Sequence, residues 1–514
     1  MAREVTRRQI LAQAGTAAAG VAGLSMAGCS SHSAAKAAAV KATASEAKVL
    51  PDSFVIDGYH KFITRPDINP PVIKLARKVT GSKAHHIFMN APYSGRGRGG
   101  AMIIDPHGNL VWMGPDTPDF HKLDFNVQDF QGEPHLTWWE GHETHGWGQG
   151  VAVVADTHYH RKHTIHAVGN GIMIDHHEFN VTPQNTGLVT IYKTLNGVDL
   201  RGIGGRSDAT MAEGVAQEID FKTNKLVGLG HWSSLEHVKL EESHQSPAGF
   251  GTASNPYDYF HINSLVVTAD GEHVLISSRN CWCVYKVSRK TGKIVWRLGG
   301  KKSDFEMGPG TVFYWQHHVR PHPGNLLTVF DNGAAPPEEK QSRALVLHVD
   351  EAKMKVSLVH EYTHPGQRVL ANAMGSAQLL DDGRMFVGWG TTPYFSEFSA
   401  DGKLLIAGRM PRGNPSYRTF AAHWTGHPTT KPDVAAHPRN GQAVVYVSWN
   451  GSTATRSWTV LAGSSRSSLT AVGSVPRTGF ETAISVRHKG PFYAVEAHDS
   501  KGRLLATSAT VKLS

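Results

Sequence analysis

Two hairpin patterns alternate along most of this chain, and their recurrence strongly restricts the folds available to it. In the first, a polar residue precedes apolar alternation, an Asp-Gly or Gly-Asn type of turn and a very apolar return strand, as from His261 to Arg279 and from His317 to Asn332. The second is a strand, a turn and a strand that ends near an aromatic residue, as in VYKVSRKTGKIVW. One copy of each makes a four-stranded unit, and such units must stack around an axis because none buries both faces alone. The repeats therefore predict a β-propeller.

The same pattern divides the 514-residue chain into predicted domains. Residues 51–411 hold about six such units, which are the blades of the predicted propeller. Residues 412–436 are rich in Pro and Gly and are predicted to be a connector. Residues 437–514 contain about seven short strands with Trp449 and Trp458 as core residues, which indicates a fibronectin-III-like sandwich packed against the main domain. The predicted fold is all-β: a six-bladed β-propeller followed by a small β-sandwich.

The first 29 residues have the features of an export signal. Arg7 and Arg8 lie in TRRQIL, which resembles a twin-arginine motif, and the apolar run that follows is too short to span a membrane. The stretch LSMAGC resembles a lipobox that ends at Cys29, the predicted lipidation site; the alternative is a generic positive n-region. Residues 30–50 are Ala/Ser/Lys-rich and are predicted to be a disordered tether. We expect export by the twin-arginine route, with the protein lipid-anchored at the outer face of the cytoplasmic membrane or secreted.

Charge and cysteine usage narrow the function classes. The net charge of +9 is dispersed along the chain, which disfavours nucleic-acid binding and favours a site for small anions. Apart from Cys29, the cysteines are Cys281 and Cys283, which lie about 7 Å apart along a predicted strand, near or beyond disulfide reach. They are predicted to be packed thiols. The chain also lacks the Cys/Ser-x-Pro-x-Arg motif that a formylglycine sulfatase requires.

A histidine-rich segment from Trp138 to Gly148, WWEGHETHGWG, raises the question of a metal site. It contains no His-Glu-x-x-His helix, and its glycines favour a loop. Packing or substrate-lining roles are therefore favoured for this segment. The sequence predicts neither a metal site nor a cofactor.

Basic and hydrogen-bonding residues stand beside the strand-like runs at the centre of the repeats. They are His261, Asn263, Arg279, His317 and Arg320. A β scaffold could aim these groups at one point, which predicts a site for an anion. His317 is followed by His318, and alternation along a strand sends neighbouring side chains to opposite faces, so only one of the two is expected to point into the site.

Seven motifs around these residues resemble, as a set, the bacterial arylsulfotransferases, which take a sulfuryl group from a phenolic sulfate ester rather than from a nucleotide donor. The motifs are Asp175-x-His177-Glu178-Phe179, Asp258 to Ser264, Ser277-Ser278-Arg279, Trp296 to Lys301, Trp315-Gln316-His317, Phe330 to Gly333 and Val387 to Gly390. The resemblance covers most of residues 80–410 and, in looser form, the C-terminal module.

The resemblance implies a six-bladed propeller with the site at its axial end, and a ping-pong mechanism. It implies that His317 is the nucleophile that becomes a sulfo-histidine, with His261, Asn263, Arg279 and His177 around the sulfuryl group and the bridging oxygen. Cationic and N–H donors suit this reaction because charge spreads over the sulfuryl and leaving oxygens in a loose transition state.

The expected partners are small molecules: an aryl sulfate donor and a phenolic acceptor. Trp315, Arg320, Gln378 and Tyr394 are predicted to bind substrate. The alternative is a propeller without catalysis, or one that depends on a metal or a quinone, binding anionic or aromatic ligands at the cell surface. Oligomeric state is not predicted.

Overall fold

The computed structural model describes residues 47–50, 54–77, 85–91, 100–115, 120–487 and 490–514. The predicted signal peptide, Cys29 and the tether up to residue 46 lie outside the described residues. The described residues form one compact unit. The described ranges are almost entirely β, with one short α-helix at Ser234–His237 and 3-10 turns at Arg201–Ile203 and Leu240–Glu242. None of these helices has the length and hydropathy that a membrane span needs.

Thirty-eight strands are present in the described residues. The first twenty are β1 (Ala47–Val49), β2 (Phe54–Ile56), β3 (Tyr59–Lys61), β4 (Lys74–Arg77), β5 (His86–Ala91), β6 (Gly100–Ile104), β7 (Leu110–Met113), β8 (His121–Phe130), β9 (Glu133–Thr144), β10 (Trp147–Ala155), β11 (Arg161–Ile165), β12 (Ile174–Val181), β13 (Thr186–Val198), β14 (Ala209–Asp220), β15 (Leu226–Ser233), β16 (Tyr257–Asp258), β17 (Ile262–Val267), β18 (His273–Ser278), β19 (Cys283–Ser288) and β20 (Ile294–Gly299). The others are β21 (Glu306–Met307), β22 (His317–His322), β23 (Leu326–Asp331), β24 (Arg343–Asp350), β25 (Lys355–Thr363), β26 (Ser376–Leu379), β27 (Met385–Gly388), β28 (Tyr394–Phe398), β29 (Leu404–Arg409), β30 (Thr419–Ala422), β31 (Asp433–Arg439), β32 (Gln442–Ser448), β33 (Ser457–Ser465), β34 (Ser468–Pro476), β35 (Glu481–Val486), β36 (Phe492–His498), β37 (Leu504–Thr507) and β38 (Val511–Lys512).

The sheets before residue 423 are arranged around their first strands. Among the described residues these first strands are β8, β12, β17, β22, β26 and β30; each contacts the next, and β30 contacts β8. Antiparallel runs extend outward as β17–β18–β19–β20, β22–β23–β24–β25, β26–β27–β28–β29–β4 and β30–β5–β6–β7. The units that begin with β8 and β12 form one nine-stranded sheet because Gly150 of β10 pairs with Ile174 of β12. The first strands therefore surround a common centre.

Successive sheets are packed on both faces, and β24 shows how. Its residues Leu345 and Leu347 lie in the core shared with β18 to β20, whereas Ala344 and Val346 lie in the core shared with β27. All four are buried, and fully burying a Val or Leu side chain contributes about 1.5–3 kcal/mol. Burial on both faces explains why the strands are nearly continuous apolar runs.

The C-terminal residues form two antiparallel sheets that face each other. Their strand orders are β1–β35–β32–β31 and β34–β33–β36–β37, with β38 beside β36. Trp449 and Trp458, the expected core residues, are both buried between them. The last residues of the predicted tether form β1, which pairs with the edge strand β35. The prediction of disorder is therefore wrong at Ala47–Val49, because this edge offers unpaired backbone groups to hydrogen-bond.

The predicted connector also contains a core strand. Residues 412–436 include β30, which pairs with β5 through Thr419–Met89 and Ala421–Ile87. The prediction from Pro and Gly content misses it, because a four-residue strand gains its stability from a partner distant in the sequence. β30 is the first strand of its sheet, so this segment completes the main domain.

The segment from Trp138 to Gly148 is a hairpin of β9 and β10 rather than the predicted loop. Gly141 in this segment, and Gly150 just after it, are required by close backbone approach between the two strands. A Cβ at Gly141 would meet the carbonyl oxygen of Gln149, and one at Gly150 would meet that of Glu140. Glycine in a strand marks such contacts as well as loops.

Cys281 and Cys283 are free and buried, as predicted for packed thiols. Burial raises the pKa of the Cys281 thiol to about 12. The thiol of Cys281 is therefore protonated and unreactive at neutral pH.

Candidate active site

Three histidines from three neighbouring strands or their first flanking residue meet at one point. His177 lies in β12, His261 directly precedes β17, and His317 begins β22. One ring nitrogen from each lies within 4.8 Å of those of the other two. The structure therefore brings together three of the five predicted catalytic residues, which are 56 or more positions apart in the chain.

An irregularity in strand pairing accompanies each of the three. The register shifts between Ile174 and Phe179 in β12, between Ile262 and Ser264 in β17, and between His317 and Arg320 in β22. An extra residue bends a strand and re-aims its side chains. The bulges account for three imidazoles that turn toward one point instead of alternating along their strands.

His317 is buried and held in one tautomer. Its Nδ1 donates to Oδ1 of Asn332 at 2.7 Å. The Asn332 amide nitrogen donates to the carbonyls of Ala371 and Met374 at 3.0 and 3.1 Å, which fixes the amide with its oxygen toward the ring. Nε2 of His317 is therefore the nitrogen with the lone pair, and it accepts a 3.3 Å hydrogen bond from the Met374 N–H. Burial and the charge of Arg279 hold the pKa of His317 well below its usual value.

His177 and His261 are each held by a carboxylate. The His177 Nδ1 donates to Asp175 at 2.7 Å, and the His261 Nδ1 donates to Asp258 at 2.5 Å. Burial lowers the pKa of His261, and the Asp258 charge opposes that shift. Burial alone raises the pKa of Asp175, but the neighbouring His177 and His176 and the hydrogen bond from Gly148 outweigh it and keep the carboxyl ionised. Both rings direct Nε2 away from their carboxylates.

Arg279 supplies a positive charge beside this cluster. Its guanidinium lies 4.8 Å from the ring centroid of Trp315 and donates to Asn280 at 2.7 Å and to the Asn372 carbonyl at 3.1 Å. No carboxylate in the described ranges lies within ion-pair distance of the Arg279 guanidinium. Burial lowers the pKa of Arg279, but only to about 10. Arg279 is therefore charged at neutral pH, and the part of the chain that the structure describes offers it no partner anion.

Asn263 is the bulge residue of β17. Its amide nitrogen donates to the Gln316 carbonyl at 2.7 Å. The Asn263 side-chain oxygen is buried and has no hydrogen-bond partner in the described part of the chain. Burying a polar group without a hydrogen bond destabilises a protein by about 1–3 kcal/mol. A hydrogen-bond donor placed at this oxygen would therefore be stabilising.

Aromatic rings cover one side of Arg279. Trp315, predicted to bind substrate, is buried and donates to the Pro336 carbonyl at 3.0 Å. Trp282 lies between it and Tyr314, with centroid distances of 5.1 and 4.9 Å, and stacks on His244 at 3.6 Å. The partly exposed rings of Trp282, Tyr314 and His244 are candidates for an aryl-binding wall. The buried Trp315 positions Arg279.

The other predicted substrate residues make structural contacts. Arg320 donates to both oxygens of Glu178 at 2.8 and 2.9 Å, so its charge is already paired. Gln378 exchanges two hydrogen bonds with the backbone of Ala421 and joins β26 to β30. Tyr394 lies on β28, two strands outward from β26, with its ring against His364. These residues were predicted to bind substrate because they lie near the motifs in the sequence. Position in the sequence alone does not separate substrate contacts from structural contacts.

His318 points away from His317, toward the neighbouring sheet. Its φ of 49° places it in the left-handed region at the bulge. Its Nδ1 lies 3.2 Å from the Ala377 carbonyl, and its ring packs 5.3 Å from Phe420. Of the adjacent pair, His317 is the one that joins the histidine cluster.

Acid is expected to destabilise the fold through His176, His317 and His318, because burial lowers the pKa of each, to about 3 for His176. The folded state then binds fewer protons than the unfolded state below about pH 6.5, so stability falls as the pH falls through that value. His318→Asn should reduce this slope by up to about 1.4 kcal/mol per pH unit. Denaturant unfolding between about pH 7.5 and 5.5 measures both slopes, and equal slopes would contradict the assignment.

A buried ionic network lies beside the histidines. Arg418 is 1% exposed and donates to Asp124 at 2.8 Å, to Glu178 at 3.3 Å and to the Asn263 carbonyl at 2.9 Å. Glu178 also pairs with Arg320. Burial raises the pKa of Asp124 to about 6, against the opposing charge of Arg418. The network ties β8, β12, β17 and β22 to the residues before β30.

Some functional partners were not identified from the sequence. Asp175 and Asp258 stand two and three residues before His177 and His261, and that spacing was the available signal. Asn332 follows His317 by 15 positions, with no local pattern to connect them. Arg418 lies in the segment predicted to be a connector.

A protein-family model described as "Arylsulfotransferase (ASST)" matches residues 126–410, more than half of the chain. No curated protein matches it. Among solved structures, the chain is similar to the periplasmic gluconolactonase PpgL of Pseudomonas aeruginosa, with 10% identity, a TM-score of 0.37 and coverage of 84% of this chain and 97% of that one. It is also similar to the β-propeller domain of Cps50 (Swd1) from Myceliophteria thermophila, with 10% identity, a TM-score of 0.32 and coverage of 62% and 92%. Both scores are low, and both likenesses concern the fold rather than the activity.

Proposed function

Since the chain belongs to the arylsulfotransferase family, we propose that it transfers a sulfuryl group from an aryl sulfate ester to a phenolic acceptor without a nucleotide donor. The observation that carries the proposal is the meeting of His177, His261 and His317 beside Arg279. A neutral imidazole is the nucleophile that such a transfer needs, and an unpaired guanidinium is a suitable partner for the sulfuryl oxygens.

In the first half-reaction, the Nε2 lone pair of His317 forms a bond to sulfur. The bond between sulfur and the aryl oxygen breaks, and the phenolate leaves with its electron pair. His261, or His177 behind it, carries a proton on Nε2 and donates it to the phenolate. The carboxylates of Asp258 and Asp175 stabilise the imidazolium that makes this donation possible.

In the second half-reaction, the acceptor phenol gives its proton back to that imidazole. The acceptor oxygen bonds to sulfur while the N–S bond breaks and returns the lone pair to Nε2 of His317. Charge spreads over the sulfuryl oxygens in both transition states, where the fixed charge of Arg279 contributes most. Its stacking on Trp315 keeps the guanidinium in place.

We also propose the detailed architecture of the protein and its location in the cell. The cycle of contacts among β8, β12, β17, β22, β26 and β30 supports a six-bladed β-propeller. The strand orders β31–β32–β35 and β34–β33–β36–β37 support a fibronectin-III-like module after it. Export and lipidation at Cys29 rest on the sequence motifs.

Initial rates with a chromogenic aryl sulfate and a second phenol test the proposal. We expect phenol release that accelerates with the acceptor, and parallel double-reciprocal lines as the acceptor concentration is varied, as a ping-pong mechanism requires. Release that requires a nucleotide sulfate donor, or no release from any aryl sulfate, would contradict it.

Asn332→Asp is expected to move the acid limb of the donor half-reaction to higher pH. A carboxylate in place of the amide favours the imidazolium form of His317, which has no lone pair for attack. The measurement is the pH profile of phenol release in the variant and the parent. The exposed Asn196→Asp adds the same charge away from the site and should leave the profile unchanged. Superimposable profiles for Asn332→Asp and the parent would contradict this role for Asn332.

A further inference from the structure

The three histidines also have the arrangement of a metal-binding site. A ring nitrogen of each lies within 4.8 Å of the others, and the Nδ1 atoms are held by Asp175, Asp258 and Asn332. A metal-binding histidine characteristically donates its other ring N–H to a carboxylate or carbonyl oxygen, which fixes the tautomer and raises the basicity of the free nitrogen. All three rings meet that condition, although they come from three different sheet units.

The spacing is compatible with a metal after a small adjustment. Nitrogens at the corners of a triangle with 4.8 Å sides lie about 2.8 Å from its centre, whereas a Zn–N bond is about 2.0–2.1 Å. Each ring would move inward by about 0.7 Å at most, a shift within reach of side-chain rotation. His317 would give up its long hydrogen bond from the Met374 N–H.

Two carboxylates favour a cation at this point. Asp175 and Asp258 lie directly behind the rings of His177 and His261, whereas the cation of Arg279 opposes a metal on the side of His317. Imidazole ligands select late first-row divalent metals such as Zn²⁺ over Mg²⁺ or Ca²⁺.

We propose that His177, His261 and His317 bind a late first-row divalent metal, represented by Zn²⁺, and that this metal inhibits sulfuryl transfer by occupying the nucleophile. The binding of the metal does not depend on the proposed function, whereas its inhibitory role rests on the proposed function. A lone pair of His317 that bonds to a metal is unavailable to sulfur, and His261 with a metal on Nε2 has no proton there for the leaving phenolate. Metal and aryl sulfate therefore exclude each other.

Titration calorimetry of the metal-free protein with Zn²⁺ tests the binding. We expect one tight site per chain that is weakened at least about 100-fold in His261→Ala, and about 10–100-fold in Asp258→Asn, which removes the carboxylate behind the ring. His160→Ser is the matched control. The ring of His158 lies about 6 Å from those of His160 and His427 near the surface, where metal binding would be weaker. His160→Ser should therefore leave the tight site unchanged. Tight binding that survives in His261→Ala, or the absence of a tight site, would overturn the proposal.

Kinetics test the inhibition separately. Zn²⁺ should raise the apparent KM for the aryl sulfate without changing kcat, and a chelator should restore the original KM. A chelator that abolishes turnover, or Zn²⁺ that accelerates it, would show a metal that serves the reaction and would overturn the inhibitory role. If the protein transfers no sulfuryl group, the calorimetry still decides whether the site exists.

Discussion

Replacing His317 by alanine is expected to lower aryl sulfate turnover by about ten-thousandfold or more, the scale on which a covalent nucleophile contributes. The lone pair on Nε2 is the group that bonds to sulfur, and His317 is the ring of the three whose Nδ1 donates to an amide oxygen. The Nδ1 atoms of His177 and His261 donate to the carboxylates of Asp175 and Asp258 instead. The measurement is the single-turnover rate of phenol release.

The adjacent histidine is the matched control. His318→Asn should keep turnover of the same order as the parent, because His318 hydrogen-bonds the backbone of Ala377 outside the cluster. Added imidazole should restore part of the donor reaction in His317→Ala by entering the space left by the ring. A fast His317→Ala variant together with a slow His318→Asn variant would reverse the assignment.

Arg418→Met is expected to destabilise the protein by about 3–5 kcal/mol, because removing one partner of a buried ion pair leaves its charge uncompensated. Asp124 would lose its 2.8 Å partner, and Glu178 would keep only Arg320. The Asn263 carbonyl, which accepts from the same guanidinium, would also lose this hydrogen bond. Denaturant unfolding measures the change in midpoint.

Arg201→Met provides the comparison for that effect. Arg201 forms an ion pair with Asp199 on the surface, where its side chain is 72% exposed. Exposed ion pairs contribute little to the free energy of unfolding, so this variant should unfold at the same denaturant concentration as the parent. If the two variants unfold alike, the network around Arg418 is not a stabilising feature.

The sequence was sufficient for features that repeat locally. Consecutive residues of strands such as β18 and β24 are apolar because both faces of each sheet are buried, so their pattern indicated stacked sheets. Trp449 and Trp458 were identified as core residues because large aromatics in short strands have few alternatives to burial. His177, His261 and His317 stood out because each is a polar residue at the entry to a recurring hairpin pattern in the sequence.

Features that depend on distant partners were not available from local pattern. β30 exists because it pairs with β5, more than 300 positions earlier in the chain. Simple alternation predicts opposite faces for His317 and His318, but a bulge sets their actual directions. Arg320 was expected at the anion, yet it pairs with Glu178, a contact across 142 positions.

Intact-mass measurement of the protein after incubation with an aryl sulfate, without any acceptor, tests the central claim most directly. The account predicts the added mass of one SO₃ group, located on His317 by peptide mapping, removed by a phenolic acceptor and absent in His317→Ala. An enzyme that turns over the donor while its mass stays unchanged, or that carries the group on another residue, would contradict it.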